Sequence, residues 1–282
     1  MGLELRPLLG LVRTTEKSRC GGIECLLSTW HGRQVALVEC GVGKVNAAMA
    51  AQALIDSAGC TTLVVCGVAG SVSSNLEPGD VLIADRLHQF DVATIRPDSW
   101  SPIPFGVQGA RGARSQVWWL EASPHLVALA REQVKASRLP NSFGRSPTVK
   151  VGGMATGDAL LLWPEALQAI AHRLGVLAVD MESAAVAQVA GVNGVECLVI
   201  RGISDRAEEL ATLNLEEILA LGAGESGSVR LMMRAASYFL AKPRGLGDVL
   251  RLGRAMQRAA GNAAAVADQV IAAWPSVRSG LQ

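Results

Sequence analysis

The chain has 282 residues, half of them apolar and only 18% charged, with aromatics at 4%. This excludes a disordered chain, which is poor in apolar and rich in charged residues. The formal net charge of +1 excludes the strongly basic surface of a dedicated nucleic-acid binder.

In chain order, Gln34–Glu39 (QVALVE) reads as a buried strand ending at Gly41-Val42-Gly43. Lys44–Ser57 follows as an Ala-rich helix closed by Gly59. Thr61–Cys66 is a second strand running into Gly67-Val68-Ala69-Gly70, and Asp80–Ala84 a third, entered through the turn Glu77-Pro78-Gly79. Pro124–Lys135 reads as a helix with Ser123 at its cap. Val176–Val179 is a strand leading into a helix from Met181 to Gly191, and Glu196–Ile200 a strand ending at Arg201-Gly202-Ile203-Ser204-Asp205. The last fifty residues read as helical. Arg96–Arg114 and Leu139–Lys150 interrupt the rhythm as irregular segments, suited to active-site loops or subunit contacts. Short apolar strands feeding helices through glycine turns imply one α/β domain with a mostly parallel twisted sheet over residues 1–240. A helical extension occupies 241–282.

The near-neutral charge hides an asymmetry: from Val229 onward eight Lys/Arg face only Asp248 and Asp268, so the preceding body is mildly acidic. In the extension Leu246, Val249, Leu250, Gly253, Met256 and Ala260 fall at helical spacing opposite Arg251, Arg254 and Arg258. A packed stripe under a solvated face accounts for this, and docking on a membrane surface or an acidic partner is the alternative. No run of eighteen apolar residues marks a membrane span, and MGLELRPLLG lacks the apolar core of a signal peptide. The six cysteines (20, 25, 40, 60, 66 and 197) lack C-x-x-C spacing and read as reduced thiols of a cytoplasmic protein. Four scattered histidines make a zinc site an unneeded assumption. No metal and no cofactor is expected.

Ligands of open α/β sheets bind beyond the carboxyl ends of strands, and four such ends carry polar groups. G-V-G-K at 41–44 is either a turn or a set of N–H groups facing an anion or sugar hydroxyl. C-G-V-A-G-S at 66–71 is a turn or a ligand loop, with Asp80 of P-G-D placed to fix it. In A-V-D-M-E-S at 178–183, Asp180 and Glu182 leave an apolar strand. They are a helix N-terminal acid pair or, with Met181 between them, a ligand site. In R-G-I-S-D at 201–205, Asp205 is a helix cap or a buried acid able to protonate a leaving group.

Taken together, G-V-G-K-V-N-A-A, C-G-V-A-G-S…P-G-D-V, M-A-T-G-D-A-L, V-D-M-E-S-A-A and V-I-R-G-I-S-D resemble the nucleoside phosphorylase/nucleosidase superfamily. The nearest branch is the 5′-methylthioadenosine/S-adenosylhomocysteine nucleosidases. The resemblance implies a mixed, mostly parallel sheet flanked by helices, a small-molecule nucleoside substrate and a homodimer. It also implies that Glu182 holds the ribose hydroxyls, Met181 packs on the sugar and Asp205, beside Ser204, protonates N7 of the purine. Glu4 is the counterpart of the family's water-activating glutamate. Gly67, Val68 and Ala69 line the substrate, and Thr156, Gly157 and Asp158 lie beside the base. Leu160 stands where the family stacks an aromatic on the base, and His88 and Asp91 match a His-Asp region in a subunit-proximal loop.

Two departures accompany the resemblance. Val65-Cys66 occupy the place where phosphorylases hold phosphate with an arginine, and Val68 replaces a usual serine, which favours water as nucleophile. The family also opens with a buried strand ending at the catalytic glutamate, and that strand is missing ahead of Glu4. N-glycosidic hydrolysis is the expected activity. A phosphorylase and a non-catalytic nucleoside-binding protein remain the alternatives.

Overall fold

The computed structural model describes residues 2, 4–96, 99–108, 114–135, 139, 145–160, 163–206 and 243–274, with 243–250 as backbone only. A short helix α1 (Leu5–Leu9) leads into a three-stranded antiparallel sheet of β1 (Arg13–Cys20), β2 (Ile23–Trp30) and β3 (Arg33–Leu37). Helix α2 (Lys44–Ala58) follows, ended by Gly59 at φ 63°. The chain continues through β4 (Thr62–Ser71), β5 (Val81–Gln89), β6 (Ala93–Arg96), β7 (Ser99–Pro102), β8 (Phe105–Gln108), β9 (Arg114–Val117) and β10 (Leu120–Glu121). The remaining elements are α3 (Pro124–Lys135), β11 (Val149–Thr156), α4 (Pro164–Leu174), β12 (Val176–Asp180), α5 (Ser183–Asn193), β13 (Glu196–Arg206) and α6 (Pro243–Ala273). Among the described residues no strand precedes α1.

The main sheet runs β10-β5-β11-β12-β4-β13 and closes on itself through a β5–β13 pairing. Its two long ladders, β4/β13 and β5/β11, are parallel. β12/β4 and β13/β5 are antiparallel, so the sheet is mixed.

Strand alternation sorts the core into two layers. Leu82 and Ala84 of β5 and Val199 of β13 join α2 and α5 residues such as Ala47, Ala51, Ala184 and Ala187. Val81 and Ile83 of β5 and Leu198 and Ile200 of β13 face the other way, onto Ala263, Ala264, Ala267 and Val270 of α6. The C-terminal helix is thus part of the core, while Arg251, Arg254 and Arg258 stay exposed. Leu246, Val249 and Leu250 of its apolar stripe, the segment 207–242, and residues 275–282 lie outside the residues whose side chains are described.

Several expectations need correction. Gly67–Ser71 and Arg201–Asp205 continue β4 and β13 as strands rather than ending them in turns, paired throughout except at Ser204, where the ladder bulges. Small residues have low strand propensity, but burial and pairing on a long parallel partner override it. Most of the described residues of Arg96–Arg114 belong to the hairpins β6–β7 and β8–β9, hidden in sequence by Pro, Gly and Ser. His88 lies in strand β5, wholly buried against the rings of Phe105 and Trp119, rather than in a loop. Ser123 does not cap α3 with its hydroxyl, which accepts the Cys197 N–H at 2.9 Å. All six cysteines are free thiols; burial pushes Cys66 and Cys197 up to about 12.

Helix α6 approaches β13 closely enough that a Cβ on Gly202 would lie 2.0 Å from the Ala259 carbonyl oxygen. Both groups are backbone, so neither side yields by a rotamer change. Gly202→Ala is expected to destabilise the protein by at least about 2 kcal/mol, read as a lower midpoint in urea unfolding; an unchanged midpoint would show that α6 is not seated on β13.

Candidate active site

Three carboxylates converge on one guanidinium. Arg201 of β13 is 4% exposed, and its Nη2 lies 2.6 Å from Asp180 Oδ2 and 3.2 Å from Glu182 Oε2. Its Nη1 lies 3.8 Å from Glu4 Oε1, and its Nε donates to Ser183 Oγ at 3.0 Å. The register sets Gly67 of β4 directly opposite Arg201. A Cβ there would meet Arg201 Nη1 at 2.3 Å and Glu4 Oε1 at 2.5 Å; only glycine leaves room for the pair. Burial disfavours the cation, but Asp180, Glu182 and Glu4 outweigh it and hold Arg201 firmly protonated.

The three acids differ in their other bonds. Asp180, at the end of β12, is buried and accepts from Thr156 Oγ1 at 2.5 Å, the Ser183 N–H at 3.1 Å and the Ser183 hydroxyl. Thr156 Oγ1 in turn accepts the Ala184 N–H at 3.0 Å. Thr156 is fully buried, so its side chain supports Asp180 from within. Glu182 is partly open: Oε1 accepts the Gly43 N–H at 3.0 Å while Oε2 faces Arg201. Burial pushes its carboxyl above the ordinary 4.5, and Asp180 and Glu4 add to the rise, while Arg201 and the Gly43 N–H oppose it. Glu4 is the most open of the three; Oε1 accepts the Val68 N–H at 2.7 Å. Glu4, Glu182 and Arg201 all line one cavity of about 1020 Å³, together with Cys40, Gly41 and Val42.

A second cluster joins the start of α2 to the loop after β11. Asp158 accepts the Lys44 N–H at 2.7 Å, and its own N–H donates to Asp91 at 2.9 Å. Lys44 Nζ lies 2.6 Å from Asp91 and 3.1 Å from Gln89. The ring of Phe90 packs against Gly157, where a Cβ would meet it at 2.5 Å. Asp158 therefore holds the entry to α2 through its carboxylate. Met181 sits between Asp180 and Glu182, and Leu160 is 47% exposed.

Ser204 and Asp205 lie at the far end of β13, past a register irregularity that sets Ile203 against Ala69 and Asp205 against Gly70. Such bulges re-aim side chains next to sites. Both residues are buried; the Ser204 hydroxyl donates to Asp205 Oδ1 and lies 3.3 Å from the Ala69 carbonyl. Asp80 fixes the turn before β5, accepting the Glu77 and Thr148 N–H groups at 2.8 and 2.7 Å and pairing with Arg145 at 2.9 Å.

The structure thus brings Glu4, Glu182, Gly67 and Val68 together around Arg201, and Thr156, Gly157 and Asp158 around the start of α2. Ser204 and Asp205 pair with each other beside Ala69 and Gly70. The sequence motifs included Arg201 and Ser183 without giving either a task. The available signal was a buried strand carrying one arginine, with two acids close to one another elsewhere in the chain.

Comparison with known proteins adds the following. A sequence model of the phosphorylase superfamily matches residues 1–229. A 5′-methylthioadenosine/S-adenosylhomocysteine nucleosidase from Lysinibacillus sphaericus is 30% identical over 230 residues, 81% of this chain and 93% of the relative. The enzyme of the same name from Mycobacterium tuberculosis is 29% identical over 242 residues, 82% of this chain and 92% of the relative. The Streptococcus pneumoniae nucleosidase, solved with the transition-state inhibitor MT-ImmA, superposes with a TM-score of 0.68 at 25% identity, covering 98% of this chain and 96% of that one. Futalosine hydrolase of Helicobacter pylori shares the fold, with a TM-score of 0.68 at 23% identity over 96% and 94% of the two chains.

Removing the central cation leaves buried carboxylates without a counter-charge. Arg201→Met is expected to cost about 3–5 kcal/mol near neutral pH by urea unfolding. The deficit should shrink as the pH falls from about 8 toward about 5, because protonation removes the buried negative charge. A pH-independent deficit would mean that lost packing, not charge, is responsible.

Proposed function

The chain belongs to the phosphorylase superfamily, and on that premise we propose that it hydrolyses the N-glycosidic bond of a purine nucleoside or 5′-thionucleoside of the methylthioadenosine/adenosylhomocysteine type. The observation that carries this reading is Glu182, held between the Gly43 N–H and Arg201 on a cavity that it shares with Glu4.

N-glycosidic cleavage passes through an oxocarbenium-like sugar, as glycosidic cleavage does. Glu182 accepts hydrogen bonds from the ribose hydroxyls, and its negative charge stabilises the cation that forms; Met181 packs on the sugar. Asp205, oriented by Ser204, gives its proton to N7 of the base, so the base leaves neutral. Water attacks C1′ and releases a proton to Glu4, which the Val68 N–H and Arg201 keep in place. The backbone of Gly67, Val68 and Ala69 and of Thr156, Gly157 and Asp158 forms the walls, with Leu160 as apolar contact in place of a stacking ring.

Water rather than phosphate as nucleophile has its own support. The N–H groups at the start of a helix are a ready anion site, but here Gly43 gives its N–H to Glu182 and Lys44 gives its own to Asp158. Arg201 is already shared by three carboxylates. A phosphate dianion would enter a field that is already negative.

Residues 1–240 carry the catalytic reading, and in the extension Ala263, Ala264, Ala267 and Val270 of α6 pack on the sheet, which supports a helical buttress over a membrane anchor. Among the described residues no helix is long and apolar enough to cross a membrane. Free thiols fit a cytoplasmic location. Val42, Val45 and Met49, exposed together at the start of α2, supply an apolar surface for a homodimer.

With methylthioadenosine, adenosine and inosine as test substrates, the protein should release free base. Asp205→Asn should lower kcat by about 10²–10⁴ while the protein stays folded; full activity in that variant would remove Asp205 from the mechanism. Because Glu182 works ionised and burial raises its pKa, kcat/KM should fall on acidification with a midpoint above 4.5, and Glu182→Gln should abolish that limb. A midpoint at or below 4.5 would contradict the role given to Glu182.

A further inference from the structure

Cys20 and Cys25 flank the tip of the β1–β2 hairpin. The register sets Cys20 opposite Ile23 and Cys25 opposite Ser18. Residues two apart on a strand share a face, so the two cysteines stand diagonally on one side of the hairpin. Their side chains turn toward each other: Cys20 Sγ donates to Cys25 Sγ at 2.8 Å, and both residues are 2% exposed. A disulfide bond measures about 2.05 Å, so less than about 1 Å of sulfur movement separates this contact from a covalent one. Diagonal partners have Cα atoms roughly 7–8 Å apart, at the upper end of what a disulfide spans. The Gly21-Gly22 turn between them is the part able to give: Gly21 has φ 58°, and a Cβ on Gly22 would meet nothing within 4 Å.

The pair is shallow. Arg19, Gly21, Gly22 and Glu24 around it are exposed, so opening of the hairpin tip, not of the core, brings the thiols to solvent. Burial and the Cys25 contact push the Cys20 thiol up to about 11, which keeps it protonated and slow to react near neutral pH. A third thiol, Cys60 just beyond α2, lies within electrostatic reach. It adds to the rise at Cys20, and its own pKa is raised by burial and then by Cys25. Cys60 is less buried than the other two and lines the active-site cavity, yet the sulfur contact belongs to Cys20 and Cys25.

We propose that Cys20 and Cys25 form a reversible dithiol–disulfide site, oxidised by a small disulfide such as oxidised glutathione. One cysteine thiolate attacks a glutathione sulfur, forms a mixed disulfide and expels one glutathione thiolate. The second cysteine, as thiolate, attacks the protein sulfur of that mixed disulfide and expels the other. Two protein thiols become one disulfide, two electrons pass to oxidised glutathione, and the two thiol protons end on the two glutathione thiols released. The bond staples β1 to β2 where the hairpin rests on α2; there a Cβ on Gly21 would lie 3.8 Å from Ser57 Oγ and 3.9 Å from Ala53 Cβ. Reversible bonds of this kind are the disulfides that reducing compartments use.

The test incubates the reduced protein with oxidised glutathione, quenches in acid, alkylates and digests with trypsin. Cleavage after Arg19 and Arg33 places Cys20 and Cys25 together on the peptide 20–33, away from Cys60. That peptide should appear about 2 Da lighter than its reduced form, without alkyl groups, and should take two after treatment with dithiothreitol. Its formation should quicken about tenfold per pH unit from about 7 to about 9, because the attacking species is the thiolate. Cys60→Ser should give the same product, whereas Cys20→Ser and Cys25→Ser should each stop with one glutathione on the remaining cysteine. A bond from either cysteine to Cys60 or to a second copy would overturn the proposal. So would a peptide 20–33 that still takes two alkyl groups, without prior reduction, after Cys60 has reacted. None of these readouts depends on base release, so they stand or fall apart from the nucleosidase reading.

Discussion

One buried guanidinium organises this molecule. Taking a charge out of water costs several kcal/mol unless it is paired and hydrogen-bonded, and Arg201 meets that condition by drawing in Glu4 from the start of the chain and Asp180, Glu182 and Ser183 from the end of β12 and the start of α5. The requirement propagates outward. Gly67 must lack a side chain because the guanidinium and Glu4 pass over it. β4 must hold its register against β13 so that Gly67 stands opposite Arg201. Thr156 must be buried so that its hydroxyl can saturate Asp180. The motifs are separated in sequence and united by one cation.

In the proposed mechanism the balance of charge around that cation also favours hydrolysis. One positive group and three carboxylates leave the site negative, which suits a sugar cation and repels phosphate. The start of α2, the other natural place for an anion, is closed by the protein's own acids. Glu182 lies at the join of both features, held by the helix N–H and by Arg201, and its raised pKa records the crowding of negative charge under partial burial.

Much of this was legible in the sequence, for reasons of physics. Apolar runs such as QVALVE and TTLVVC mark strands because β-branched and apolar residues suit a pleated surface. The expectation that Gln34–Glu39 is buried fails: β3 stops at Leu37 and none of its residues is buried, because it lies in the small antiparallel sheet. Lys44–Ser57 followed by Gly59 marks a helix with its stop. Asp180 and Glu182 stood out because acids beside buried apolar sequence are costly. The strand continuations at Gly67–Ser71 and Arg201–Asp205 were hidden because small residues read as turns, and pairing with a distant strand is not a local property. The hairpins between Ala93 and Val117 carry too few apolar residues to signal strands. The role of Arg201 was invisible because its partners lie about twenty and about two hundred residues away, beyond any spacing rule.

The most direct measurement of the account is the fate of solvent oxygen. The protein is incubated with methylthioadenosine in H₂¹⁸O with inorganic phosphate present, and the sugar product is examined by mass spectrometry. Hydrolysis through Glu4 and Glu182 predicts free base, one ¹⁸O on the sugar at C1 and no sugar phosphate. An unlabelled sugar 1-phosphate, formed only when phosphate is present, would contradict it.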